Sequence, residues 1–209
     1  MKKIYTIIAL FSISFLSAQI VINEIDADTS GADTAEFIEL YSSNPNTSLD
    51  GYIVVFYNGS DDKTYGDPVD LAGYSTDSNG FFVIGSTGMG TQIEKSPGSS
   101  GWLQNGADAA ALYQDSASNF PNDTEITTTN LIDVVIYDTN DSDDSGLMNG
   151  LGENTQWNEN MNGSKDTESL QLQSDDTYAA LTPTPGATNN AVQTIIFGAV
   201  SDVSTLRSG

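Results

Sequence analysis

The chain has 209 residues, with 29 acidic against 6 basic, a formal charge of −23, and neither cysteine nor histidine. Disulfides, thiolate catalysis, zinc-finger geometry, c-type haem attachment and a lipid-bearing cysteine are thereby excluded, as is the imidazole that most hydrolases use as general base. So few Lys and Arg residues also argue against nucleic acid as a direct partner, because affinity for phosphate backbones rests on neutralising them.

Taken in order, Met1–Ala18 places Lys2 and Lys3 ahead of an apolar run from Ile4 to Leu16, followed by the small pair Ser17 and Ala18. That is the pattern of a secretory signal peptide, and the run is short for a membrane span. The expectation is an exported protein (extracellular, cell-surface or periplasmic) cut after Ala18, with no membrane insertion afterwards. Losing Lys2 and Lys3 takes the charge from −23 to −25.

The mature part opens on Ile20–Ile25 (IVINEI), a short β-type run, followed by a polar loop with Gly31. Glu36–Tyr41 (EFIELY) and Gly51–Asn58 (GYIVVFYN) read as the next two strands, the second ending on the Asn58–Gly59 turn signal. Thr64–Leu71 reads as an edge strand, since Pro68 would interrupt a central one. Gly80–Gly85 (GFFVIG) follows, then a glycine-rich stretch over 86–101. Gly106–Tyr113 (GADAAALY) is too short for a helix and is flanked by loop signals. Leu131–Tyr137 (LIDVVIY) alternates at period two and reads as a central strand of a two-layer fold. It runs straight into an acidic loop with Asp138, Asp141, Asp143 and Asp144. Glu168–Gln173 is the last predicted strand, and Ala179–Asn190 (AALTPTPGATNN) a Pro/Gly closing segment. Residues 191–209 form a C-terminal extension, whose apolar start is an edge strand or a truncated linker.

No long segment carries a helical period, and no repeat recurs at 20–50 residues. Short strands separated by Gly, Asn, Asp and Pro turns predict an all-β sandwich of about seven to nine strands over residues 19–190. A domain of that size buries a sufficient core without disulfides.

Several of these pieces, in this order, resemble the lamin tail domain family: VINEIDAD, AEFIELY, LDGYIVVFYNG, GFFVIG, LQNGADAAALY, NLIDVVIYDTNDSDDSGLM and TPTPGATNN. The similarity runs from about Ile20 to Asn190, and its flavour is that of the secreted bacterial members common in Bacteroidetes. The resemblance implies an immunoglobulin-like β-sandwich, often fused in bacteria to secreted nucleases, phosphatases or sorting domains. Only nineteen residues follow Asn190 here, too few for such a domain. The family has no agreed catalytic residues, so it implies none in this chain.

Three groups of residues invite a chemical reading. Asp141-Ser-Asp143-Asp-Ser145-Gly146 matches the opening of a calcium loop, with oxygen ligands at alternate positions and Gly at the sixth. The twelfth position is Gly152, so Asp138, Glu153 or a carbonyl would have to complete the site, making Asp138, Asp141, Asp143, Ser145 and Glu153 the candidate Ca²⁺ ligands. The alternative is a solvated acidic turn. Glu24, Asp26, Asp28, Asp33, Glu36 and Glu39 form a second acidic group, which could make a second cation site or an acidic-pair catalytic site but is expected mainly as solvated charge, because carboxylates in so acidic a chain are usually solvated. Among the aromatics, Tyr52, Phe56, Tyr57, Phe81, Phe82 and Tyr113 alternate along strands and are expected in the core. Trp102 and Trp157 lie in loops and are candidates for exposed ligand contacts. The function these readings favour is an exported, non-catalytic lamin-tail-type module that recognises a protein or a cell surface. The rivals are an accessory domain of a secreted hydrolase and a carbohydrate-binding module.

Overall fold

The computed structural model describes residues 20–191. The expected leader over 1–18, and the C-terminal extension beyond Ala191, lie outside the described residues. The described residues form an all-β sandwich, as expected. Its strands in chain order are β1 (Ile20–Asp26), β2 (Phe37–Ser42), β3 (Tyr52–Asn58), β4 (Lys63–Thr64), β5 (Val69–Asp70), β6 (Phe81–Gly85), β7 (Asp108–Gln114), β8 (Leu131–Asp138), β9 (Trp157–Asn158), β10 (Ser169–Leu172) and β11 (Tyr178–Leu181). One α-helix, α1 (Ser145–Leu151), sits between β8 and β9. The first sheet runs β11-β10-β1-β2-β6; the second runs β4-β3-β7-β8-β9, with β5 also on β3. Every strand pair is antiparallel except the short β8–β9 contact.

Alternation decides which side chains meet between the sheets. Ile22, Ile25, Ile38, Leu40, Phe82 and Ile84 face inward from the first sheet, and Val54, Phe56, Ala110, Leu112, Val135 and Tyr137 from the second. The second sheet is apolar on its other face as well. Ile53, Val55, Tyr57, Ala109, Ala111, Tyr113, Val134 and Ile136 pack there beneath Phe120, Leu147 and Leu151. The expected two-layer scheme is thus incomplete on this side. The polar connection after β7 and the helix after β8 fold back as a thin third layer, which is why β8 is buried on both faces. The alanines of β7 fit because they lie opposite large partners, with Ala110 between Phe56 and Val135 and Ala109 between Tyr57 and Ile136. Small-against-large packing, rather than the weak β propensity of Ala, places them in this strand.

Helix α1 was not foreseen in the acidic loop. Its sequence, SGLMNGL, carries two glycines and an asparagine, all weak helix formers. Three features offset this. Asp144 caps the N-terminus, its Oδ1 accepting from Leu147 N at 2.8 Å. Leu147 and Leu151, four residues apart, share the buried face. Gly152 ends the helix in a left-handed conformation, φ 81°. The glycines are close-approach positions: a Cβ at Gly146 would lie 2.0 Å from Asp62 Oδ2, and one at Gly150 2.9 Å from Ile126 Cδ1.

Free edges are blunted. Beyond β6, the chain at Glu94 and Lys95 bonds back to Val83 and Gly85, and β4 and β9 are only two residues long. If the third layer belongs to the cooperative core, Leu147→Ala should lower stability by about 2–5 kcal/mol and Asp144→Ala by about 1 kcal/mol. Urea unfolding measures both. An unchanged midpoint for Leu147→Ala would show that the layer opens independently of the sandwich.

Candidate binding groove

The outer face of the first sheet mixes polar side chains (Glu24, Glu39, Ser169, Gln171) with apolar ones (Val21, Phe37, Tyr41, Phe81, Val83), and much of it is closed from solvent. A bulge at Asn23 lets Ile22 pair with Leu40 and Glu24 with Glu39, so both glutamates point outward. The closing segment crosses over them. Glu24 accepts from Thr184 N and Thr184 Oγ1, each at 2.8 Å, from Ser169 Oγ at 2.5 Å and from Gln171 Nε2 at 3.2 Å. Glu39 accepts from Gly186 N and from Asn23 Nδ2, each at 2.6 Å. Asn189 completes the seal by donating to the carbonyls of Asn23 and Leu172. The two carboxylates thus act as acceptors for a strap that has no strand partner of its own.

Beside that strap the sheet stays open. Val21, Tyr41 and Phe81 lie in one cross-strand row, with the Tyr41 and Phe81 ring centroids 5.1 Å apart. This row floors a groove of about 1070 Å³. The strap from Gly186 to Ala191 forms one wall, Pro45, Ser78 and Asn79 the other, and Leu172–Ser174 one end. Among the described residues no acidic or basic side chain lines it, although 17% of the chain is charged.

A smaller cleft of about 460 Å³ opens beside β3 and β5, with Phe56, Tyr65 and Trp102 on its walls. Trp102 is half-buried and held from within: its amide donates to Glu36 Oε2 at 3.2 Å and its Nε1 to Ser86 Oγ at 2.9 Å. Its ring meets Phe56 edge-on at 5.7 Å. Trp157 lies elsewhere, in β9 at the opposite end of the second sheet, half-buried and tilted against Tyr178 at 5.8 Å. The two tryptophans therefore share no surface. Of the strand aromatics, Phe56, Tyr57, Phe81, Phe82 and Tyr113 are buried and Tyr52 is half-buried.

The expected calcium ligands are not gathered. Asp138 is buried and already engaged: Oδ1 accepts from Asn140 N at 2.7 Å and Asp141 N at 2.9 Å, and Oδ2 from Gln156 Nε2 at 2.9 Å. Ser145 is the first residue of α1, whereas an EF-type loop would still be irregular there. Asp141 and Asp143 are exposed on one side of the helix and Glu153 lies past its far end. Among the described residues, no group of three or more acidic side chains is disposed to hold a metal ion.

The second acidic group departs most from expectation. Glu24, Asp26, Asp28, Glu36 and Glu39 are buried rather than solvated. Asp26 is 5% exposed and Glu159, 1% exposed, was not singled out in the sequence. Burial pushes both carboxyls well above the usual carboxylate range; the Asp26 charge and the hydrogen bond with Asp26 raise Glu159 further, whereas for Asp26 that bond works against the shift and the charges of Glu24, Asp28 and Glu36 add to it. Glu159 also accepts from Ala27 N, while Lys165 pairs with the adjacent Asp28. Burial raises Glu36 to about 7 and Glu39 to about 8, against hydrogen bonds that pull them down. One signal could have located the pair: Glu159 is the lone acidic residue between Asn154 and Ser164, a stretch otherwise rich in Asn and Gly. The bond to Asp26, 133 residues earlier, was not legible.

Family models, curated proteins and solved structures give no match to this chain. Among the described residues, no helix is long and apolar enough to cross a membrane.

The raised carboxyls fix the sign of the pH dependence. An unfolded Asp or Glu titrates near pH 4, whereas these groups keep their protons to higher pH when folded. Their stabilising contribution is complete below about pH 4 and is lost as pH rises through the folded values, about 7 for Glu36 and about 8 for Glu39. The thermal midpoint should therefore be higher in mildly acidic than in mildly alkaline buffer. Glu159→Gln keeps an acceptor for Ala27 and a donor for Asp26 but carries no titrating proton, so it should flatten the alkaline side. An identical profile in wild type and variant would assign the slope to the overall negative charge instead.

Proposed function

We propose that this protein is an exported, non-catalytic recognition module of the lamin-tail type, which holds an extracellular protein or surface in the groove over Val21, Tyr41 and Phe81. The observation that carries the reading is the uncharged groove itself. In a chain of charge −23 it is walled by neutral side chains and braced by two buried glutamates that hold its strap. A concavity with an apolar floor and a few polar groups at its rim is the usual form of a binding site. The ordered resemblance of residues 20–190 to lamin tail domains supports the same reading, as does the sandwich fold. The Lys2–Lys3 and Ile4–Leu16 pattern supports export.

The carboxyl groups that might have suggested acid–base chemistry are otherwise occupied. Glu24, Glu39, Glu36 and Glu159 each accept a backbone amide from a neighbouring segment, and Asp26 with Glu159 lines neither groove described above. An accessory role beside a secreted hydrolase uses the same binding face and differs only in what lies next to it.

The test is direct binding of purified, labelled residues 19–209 to intact bacterial cells and to isolated extracellular matrix. Saturable binding should weaken at least about tenfold in Tyr41→Ala, because the ring forms the groove floor. Binding that does not saturate, or that is indifferent to Tyr41, would overturn the assignment of this face.

A further inference from the structure

Resting on that recognition reading, we infer that the groove takes a neutral polyhydroxylated chain, an uncharged oligosaccharide, with a sugar ring laid against Tyr41. The argument begins with charge. The protein's field repels anionic ligands at long range. Among the described residues, no carboxylate lines the groove to pair with a cation, and no lysine or arginine to pair with an anion. A ligand bearing a full charge would lose hydration there without gaining a partner. A neutral one meets no such penalty.

The polar groups of the rim have the matching chemistry. Ser78, Ser174 and Thr188 are exposed, and their hydroxyls have no hydrogen-bond partner among the described residues. A hydroxyl both donates and accepts, as sugar hydroxyls do, so each can satisfy such a ligand in either sense. The floor supplies the complementary element: the part-exposed ring of Tyr41 offers apolar area to the C–H face of a pyranose, with the buried Phe81 ring packed beside it at 5.1 Å.

The strand pattern argues against an added peptide strand. β-augmentation needs a free sheet edge, yet β1 and β2, which carry Val21 and Tyr41, are each paired on both sides, and the outer edge of β6, which carries Phe81, is taken by backbone bonds to Glu94 and Lys95. The volume, about 1070 Å³, lies at the upper end for compact small-molecule sites, which suits several linked rings rather than one.

The experiment titrates residues 19–209 with short neutral oligosaccharides (glucan, mannan and xylan fragments) and with a uronic-acid oligosaccharide of similar length, read by calorimetry. At least one neutral series should bind and the uronate should not. Tyr41→Ala should weaken binding at least about tenfold. Thr188→Glu, on an exposed strap position where folding is not at issue, should do the same by placing a charge in the groove. Equal binding of the uronate, neutral binding unaffected by both variants, or no neutral binding at all would overturn the inference. The cell-binding assay separates the two levels of failure. Tyr41-dependent cell binding that survives periodate oxidation of surface glycans would leave the recognition reading standing and remove the oligosaccharide. Absence of any cell or matrix binding would remove the reading itself.

Discussion

A buried carboxylate accepting a backbone amide is the interaction on which most of this sandwich depends. It recurs at a bulge and in several loops: half-buried Asp133 takes Ile22 N beside the β1 bulge at 2.7 Å, Asp108 takes Gly59 N at 3.2 Å, Glu36 takes Trp102 N, and Glu24 and Glu39 take the strap. A backbone N–H shut away from water without a partner is costly, and loops have fewer ladder partners than strands do. An ionised carboxylate is a strong acceptor for such a group, but burying it is itself expensive. Burial accordingly raises the proton affinity of Asp133 and Asp108 to about 6. The fold trades loop satisfaction against proton affinity, and the higher stability expected at mildly acidic pH follows from that exchange.

This trade also explains what a single sequence conceals. The strands were legible because alternation and turn residues report local geometry: 20–25, 51–58, 80–85 and 131–137 appear within a residue or two of their expected places. The acidic residues were not legible. Composition presents Glu24, Asp26 and Glu39 as part of a general surface charge, and nothing local tells a carboxylate that will bind an amide 160 residues away from one that will face water. Helix α1 lay between these extremes. The Asp144 cap, the Leu147/Leu151 pair and the terminal Gly152 are all visible in retrospect, but the carboxylates before them suggested a metal loop and two internal glycines masked the helical period. Strand β11 was absorbed into the closing segment because its four residues, YAAL, carry no alternation of polarity.

The groove was partly legible, in pieces that gave no hint of belonging together. Tyr41 and Phe81 were strand aromatics and TPTPGATNN a closing segment; only the register β1–β2–β6 and the two glutamate anchors bring them onto one surface. Trp102 and Trp157, the more obvious candidates by residue type, turn out to be fixed from within or packed on a neighbour. Exposure of a large ring in a loop is a matter of what the loop rests on, and residue type alone does not report it.

The strap's anchoring has a consequence for the order in which the chain acquires structure. Glu24 lies in β1, and its partners Ser169, Gln171 and Thr184 lie 145 to 160 residues later. Loop closure over such a distance is slow compared with local pairing. A polypeptide appearing from its N-terminus can pair β1 with β2 early, but Glu24 then stays without these partners until the last strands arrive. The first of the described strands to emerge is thus among the last to be completed, and for much of synthesis the outer face of its sheet is an open, acid-bearing surface in contact with water.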